Sequence, residues 1–313
     1  MSDNLVLPFE VKPLGVRGRV VRLGAVVDDI LHRHDYPPAV SALLAEAVAL
    51  TAMLGASLKF AGKFILQTRT DGPVDMLVAD FVAPGGIRGY ARFNRERVAT
   101  LVQGGQATQA ALFGKGYLAM TVDQGPDMER YQGIVALDGG NLTAAAQTYF
   151  AQSEQIPTTL RLAAGPLLAR GAGGESWRAG AIMVQHLPRD GGSSPLPVSS
   201  GDVPEGAEEE VAENDDWVKA RLLLETAEAH EMLDPQLTPE ALLYRLYHED
   251  GVTVYAEQAL VRHCTCSHDT VSGMLRGFPP EDRADMVENG AIKVTCEFCS
   301  TSYSFAPDAF DDA

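Results

Sequence analysis

Three observations predict an α+β protein. Helical periodicity and strand alternation occupy separate stretches of the chain, short strands with Gly and Pro punctuation run in succession from residue 63 to 93, and the only four cysteines stand in two close pairs near the end. The expected architecture is an N-terminal antiparallel-sheet domain with helices, a helical linker, and a small C-terminal four-cysteine module. Expected boundaries are 1–188, 189–251 and 252–313.

The elements follow in order. Gly18-Arg-Val-Val-Arg-Leu23 reads as a strand within a stretch, 14–36, that leads to Tyr36-Pro37-Pro38. Residues 39–60 read as a helix with Val40, Leu43, Leu44, Ala47, Leu50, Leu54 and Leu58 on one face; Pro37 and Pro38 suit its start and Gly62 follows its end. Lys63–Arg69, Val74–Phe81 and Ile87–Phe93, separated by Asp71-Gly72-Pro73 and Pro84-Gly85-Gly86, predict an antiparallel meander. Further strands are expected at Tyr117–Val122, Tyr131–Leu137, Thr158–Ala164 and Ala179–Gln185, and a helix over Leu142–Gln152.

Composition changes at Pro188. Residues 189–204 are rich in Gly, Ser and Pro, and Asp202–Asp216 carries eight acidic residues and no basic one, a solvated tether. Trp217–Leu233 is expected to be a helix. A second helix is capped by Thr238 with Pro239 in its first turn and carries Leu242, Leu243, Leu246 and Tyr247. These apolar stripes need a partner surface, and the acidic run beside them argues that their docking is marginal. In the last segment, Asp269 caps a helix with Val271, Met274, Leu275 and Phe278, Pro280–Glu288 forms a short helix closed by Asn289-Gly290, and Ile292–Cys296 with Ser302–Phe305 forms a hairpin.

The whole chain sets outer limits. At 313 residues and 46% hydrophobic it suits two domains with a real core, and its formal charge of −17 repels nucleic-acid phosphates. Residues 255–313 hold four basic and ten acidic groups, 4 − 10 = −6, the wrong sign for a DNA reader. No secretory signal and no run of about 18 apolar residues is visible, so the expectation is a cytoplasmic protein that does not span a membrane.

Cysteine is confined to Cys264-Thr-Cys266 and Cys296-Glu-Phe-Cys299, twenty-nine residues apart. Two close pairs are what a closed tetrahedral zinc site needs, and equally what two local disulfides need. Zinc–sulfur bonds of about 2.3 Å leave neighbouring sulfurs about 3.8 Å apart, against about 2.05 Å in a disulfide. Sulfurs within a pair would therefore be nearly placed to bond once zinc leaves. Zinc-bound thiolate is also the form oxidants attack. A module of this size with few large apolar groups leans on its metal, so oxidation is expected to expel zinc and unfold it. Spacing by itself favours a permanent zinc anchor that never cycles, as in most four-cysteine zinc sites; it points strongly to a metal and only weakly to switching.

His263 and His268 flank the first pair and suit supporting or surface roles, since four cysteines already fill a tetrahedron. Gly114-Lys115-Gly116 and the glycine-rich stretch 171–174 lack the full phosphate-loop pattern and read as turns. Ser153-Glu154-Gln155 has no partnered histidine in sequence, and no catalytic triad or carboxylate pair stands out, so the chain does not read as an enzyme.

The assembled motifs resemble the 33 kDa chaperonin family, the redox-regulated heat-shock holdases of bacteria, over nearly the whole chain. The Cys-x-Cys and Cys-x-x-Cys arrangement is that family's signature. Leu58-Lys-Phe-Ala-Gly62, Gly114-Lys-Gly, Thr121-Val-Asp-Gln-Gly125, Tyr131-Gln-Gly133, Tyr149-Phe-Ala-Gln-Ser-Glu-Gln-Ile-Pro-Thr158 and Leu243-Tyr-Arg-Leu-Tyr-His-Glu249 match in order. The resemblance implies that the reduced, inactive chain binds one Zn2+ through Cys264, Cys266, Cys296 and Cys299. Oxidants then form the disulfides Cys264–Cys266 and Cys296–Cys299, zinc leaves, the module and linker loosen, and unfolding client proteins are bound without ATP by a form that tends to homodimerise. The tether at 189–216 departs from the family pattern by its length and acidity. Two other classes fit the cysteines less well: a zinc-ribbon nucleic-acid regulator, opposed by the module's charge, and a thiol–disulfide oxidoreductase, which would need an exposed low-pKa cysteine without zinc.

Overall fold

The computed structural model describes residues 3–58, 61–125, 128, 130–168, 175–187 and 214–310. Lys59-Phe60, the glycine-rich 171–174 stretch and the tether up to Glu213 lie outside the described residues.

The chain opens with β1 (Leu5–Val11) and β2 (Val16–Leu23), then α1 (Ala25–His32) and α2 (Pro38–Gly55). The meander follows as β3 (Lys63–Thr70), β4 (Val74–Val82) and β5 (Gly86–Phe93), within one or two residues of its expected bounds. Next come α3 (Arg95–Gln103), α4 (Gln109–Phe113), β6 (Gly116–Asp123), β7 (Tyr131–Ala136) and α5 (Leu142–Tyr149), the last passing into one wider π-type turn at Phe150–Glu154. A long hairpin, β8 (Thr158–Leu168) and β9 (Glu175–His186), completes this part.

Two antiparallel layers sandwich α2. The first sheet runs β8-β9-β2-β1, and the second runs β5-β4-β3-β6-β7. Residues after the linker finish both. β10 (Thr253–Val254) and β11 (Gln258–Ala259) pair with β1, and β12 (Val261–Arg262) adds in parallel to β5. Pro8 lies in β1 between those two short pairings, where its carbonyl accepts the Tyr255 N–H, so its missing N–H breaks no ladder.

α2 is apolar around nearly its whole circumference: Val40, Leu43, Leu44, Ala45, Ala47 through Leu50 and Ala52 through Leu54 are buried between the sheets with Leu66, Leu77, Phe81, Ala181 and Met183. This corrects the one-faced reading. The helix contacts both sheets, so it has no solvent side to mark. It ends at Gly55, earlier than expected. By length and composition it is also the one helix among the described residues that could cross a membrane, yet 78% of it is buried inside the protein.

The linker forms α6 (Asp215–Glu225), α7 (Ala229–Leu233) and α8 (Pro239–Tyr247). The single helix expected over Trp217–Leu233 is broken because Glu228 starts a new one, with a capping box to Glu231. Trp217, Ala220, Leu224, Met232, Leu242, Leu243, Leu246 and Tyr247 cover Leu5, Leu7, Phe9, Val20, Ile182 and Val184 on the outer face of the first sheet. The docking is extensive, not marginal.

The last segment contains α9 (His268–Arg276), α10 (Pro280–Asp285) and the sheet β13 (Val287–Glu288), β14 (Ala291–Thr295), β15 (Ser302–Phe305). Its helix cap is Ser267, whose Oγ accepts the Thr270 N–H at 3.0 Å, and not Asp269, which sits in the first turn. The second short helix stops at Asp285 because Val287 and Glu288 join a hairpin closed by Asn289 and Gly290, both at positive φ.

Candidate metal centre

Each cysteine pair is set by a neighbouring strand. The His263 N–H donates to Ile87 O at 2.9 Å, which ties the chain to β5 up to the residue before Cys264, and Ser267 opens α9 directly after Cys266. A side chain on Gly86 would meet His263 Cβ at 2.8 Å, so glycine permits this close approach. The second pair forms the tip of the β14–β15 hairpin. The Cys296 N–H donates to Thr301 O at 3.0 Å, and the Ser300 N–H donates to Cys296 O at 2.8 Å with Ser300 in the left-handed region.

All four sulfurs lie within 4.8 Å of one another and form the one cluster of possible metal ligands among the described residues. Neighbouring Sγ distances are 3.3 Å for Cys264–Cys266, 3.7 Å for Cys264–Cys296 and 3.3 Å for Cys266–Cys299. The thiols are free, and these spacings are close to the roughly 3.8 Å of a tetrahedral four-thiolate zinc site. The donor set fits a metal ion. Geometry does not favour one disulfide pairing, since the 266–299 contact is as short as the 264–266 contact.

Local hydrogen bonds polarise the set. Burial pushes the Cys266 thiol up to about 12, even though the Tyr303 hydroxyl donates to its sulfur at 3.3 Å. Burial also opposes ionisation of Cys299, but there the hydroxyl and N–H of Thr301, with Cys266 and Cys296, prevail and bring it down to about 6. Cys299 is the buried one of the four. Neither His263 nor His268 belongs to the cluster. His268 instead packs on Phe305 at 4.6 Å.

The ligand loops sit on the N-terminal sheets, a feature that sequence reasoning missed. Phe298, between the second pair, presents its ring to the edge of Tyr90 (4.8 Å, 78°) and to the Arg88 guanidinium at 3.9 Å. Arg88 also donates to Thr265 Oγ1, between the first pair, at 3.0 Å. The end of α1 supplies the rest: Arg33 Nη1 donates to Cys299 O at 3.4 Å, His34 Nε2 lies 3.3 Å from Phe298 O and Nδ1 lies 3.2 Å from Ser300 Oγ, and Asp29 pairs with Arg262. Outward positions on a strand gave the only signal, and strand alternation does not say what covers them.

The weaker motifs have structural roles. Gly114 adopts a positive φ in the turn before β6, where the Lys115 N–H donates to Asp71 Oδ1 at 2.7 Å. Glu154 accepts the Tyr149 hydroxyl at 3.3 Å, with Gln155 in the left-handed region.

Comparison with known proteins gives consistent matches. A family model described as "Hsp33 protein" matches residues 4–306. The 33 kDa chaperonin of Caulobacter vibrioides (strain NA1000 / CB15N) is 44% identical over 307 residues, covering 97% of this chain and 95% of that protein. That of Shewanella frigidimarina is 34% identical over 316 residues, covering 100% and 96%. The crystal structure of the 33 kDa chaperonin (heat shock protein 33 homolog) from Thermotoga maritima superposes with a TM-score of 0.76 at 20% identity over 99% of this chain and 97% of that one, a likeness of fold.

Proposed function

The chain belongs to the Hsp33 family, the 33 kDa chaperonins, and from that premise we propose that it is a redox-regulated, ATP-independent holdase for unfolding proteins. A chaperone role follows from the family; the switch is our reading. One observation carries it: the only four cysteines of the chain, drawn from two separate segments, converge within 4.8 Å.

In this reading Cys264, Cys266, Cys296 and Cys299 hold one Zn2+ in the reduced state. The ion would stabilise four neighbouring thiolates and cross-link two loops. The chain's own residues do the rest. Tyr303 and Thr301 orient the sulfurs of Cys266 and Cys299. Oxidation joins Cys264 to Cys266 and Cys296 to Cys299; each pair of thiolates gives up two electrons, which with two protons from solvent reduce one peroxide to two waters. Either disulfide takes two thiolates from the set, and the loops lose the constraint that seats them against Arg88 and His34.

The working division is a core at 1–188, a tether and linker at 189–251, and a switch module at 252–313 whose first strands, through Arg262, act as a seam on the core sheets. Clients are unfolded proteins in the cytoplasm, the oxidised form is a homodimer, and no catalytic, membrane or nucleic-acid role is assigned. The test is light scattering by a heat-denatured client, with reduced and oxidised protein and metal release followed in parallel. Stoichiometric protection after oxidation alone is expected; equal protection in both states rejects the switch.

A further inference from the structure

Phe298 is the one aromatic residue inside either cysteine pair, and it does not face its own module. Its ring rests in a cradle built by the second sheet: Tyr90 meets it nearly at right angles, and the Arg88 guanidinium lies over its face. Arg88 has an anchor of its own within the sheet. Arg88 is held at two points by Asp80, with Nη2 at 2.6 Å and Nε at 2.8 Å, and that carboxylate is only 7% exposed. The contacts that keep the loop there end on residues in or next to the cysteine loops, namely Thr265, Cys299 O, Phe298 O and Ser300. Asp80 holds Arg88 from within the sheet, while the occupant is held by the fold of the ligand loops.

The surface continues beyond the cradle. The strand registers put Tyr90, Val78, Gln67, Ala119 and Ile134 on one rung crossing β5, β4, β3, β6 and β7, with Tyr90, Val78 and Gln67 part-exposed and Ala119 buried between Gln67 and Ile134. Ile134 is 58% exposed. Among the described residues β7 pairs only with β6, and Tyr131–Ala136 contains neither a charge nor a proline, the usual guards of an edge strand. Four strand spacings make the rung about 19 Å long, the reach of about six extended residues.

We propose that this cradle and rung form a binding site for an extended polypeptide segment bearing an aromatic side chain, and that Phe298 occupies it as a placeholder while the module is docked. The occupant is the aromatic-containing segment of an unfolding client. Phe298 itself shows the chemistry the cradle accepts, and the guanidinium favours an aromatic ring over an aliphatic chain. The inference rests on the chaperone reading and adds to it a surface and a ligand class.

The test uses the full chain, reduced and metal-loaded, and a fluorescein-labelled serine-rich peptide with two phenylalanines, alongside the same peptide with leucines. Phe298→Ala, with metal content verified, is expected to bind the phenylalanine peptide about tenfold more tightly than the wild type, and to prefer it over the leucine peptide. Adding Tyr90→Ala returns binding to the wild-type level. Should Phe298→Ala lose its metal, His34→Ala weakens the loop's seat from the core side and carries the same readout. Unchanged binding with metal retained, or a gain that survives Tyr90→Ala, overturns the proposal. If oxidised wild type protects a client but peptide binding ignores Tyr90, this site falls and the chaperone reading stands. If the Tyr90-dependent gain appears but oxidation gives no protection, the switch falls and the site stands.

Discussion

Arg22 and Arg178 are 2% and 6% exposed, and both end on carbonyls of the segment joining α7 to α8. Arg22 donates to Leu237 O at 2.6 Å and to Asp234 O; Arg178 donates through Nε to Leu233 O at 2.7 Å and through its two Nη atoms to the Asp3 carboxylate at 2.6 Å each. Buried charge is tolerated only with such partners, so these residues clip the linker and the N-terminus to the first sheet. Burial works against the Asp3 carboxylate, but the hydrogen bonds and charge of Arg178, with Arg22 beyond, hold its pKa below the ordinary value. A depressed carboxyl adds stability above the unfolded pKa and loses it as pH falls through the folded one. Asp3→Asn is therefore expected to cost about 1–3 kcal/mol near pH 7, discounted for the carboxylate's partial exposure. Urea unfolding of both proteins from pH 7 to 3 checks this: the gap should close on acidification, and a constant gap removes the ion pair from the account. Neither arginine was legible as a clamp, since each looks like an ordinary outward charge in an alternating strand.

The linker helices show how far local patterns carry at the scale of elements. Thr238 and Pro239 announced α8, and the structure keeps both, with Thr238 Oγ1 accepting the Ala241 N–H at 3.2 Å. What faces α8 came from elsewhere: Tyr247 is fully buried against Phe9 and donates to Ala220 O at 3.1 Å, joining α8 to α6. Leu243→Ala should leave a cavity costing about 2–5 kcal/mol. Hydrogen exchange should then quicken across 215–247 while α2 and β3 stay protected; uniform quickening would mean that the linker does not open separately. The elements that escaped sequence reading are β1 and α3, seven and nine residues long, and a set of shorter ones. α1 has two turns, and its Asp28-Asp29 pair masks its apolar side, while β10, β11 and β12 have two residues each and exist only through their partners on β1 and β5. A period cannot be read from two residues.

Across the whole molecule the unequal size of the cores sets the order in which parts yield. Among the described residues the C-terminal module buries only Val271, Leu275, Ile292, Phe305 and Phe310 in its own cluster, whereas α2 anchors a core spanning both large sheets. Chelation of the reduced protein should therefore abolish exchange protection from 263 to 310 and leave β3, β4 and β9 protected; a tail that stays ordered without metal would remove the trigger from the proposed mechanism. The sequence by itself determined the α+β class, the meander, the start of α8 and the four-thiol site, because these are written in nearby residues: alternation, capping and the spacing of cysteines within each pair. Tertiary structure alone decided that α2 is enclosed on all sides, that two arginines clip the linker, and that Phe298 rests on Tyr90 and Arg88. Each of those depends on residues tens to hundreds of positions apart, and contact at such range comes from how the layers pack, which no local periodicity encodes.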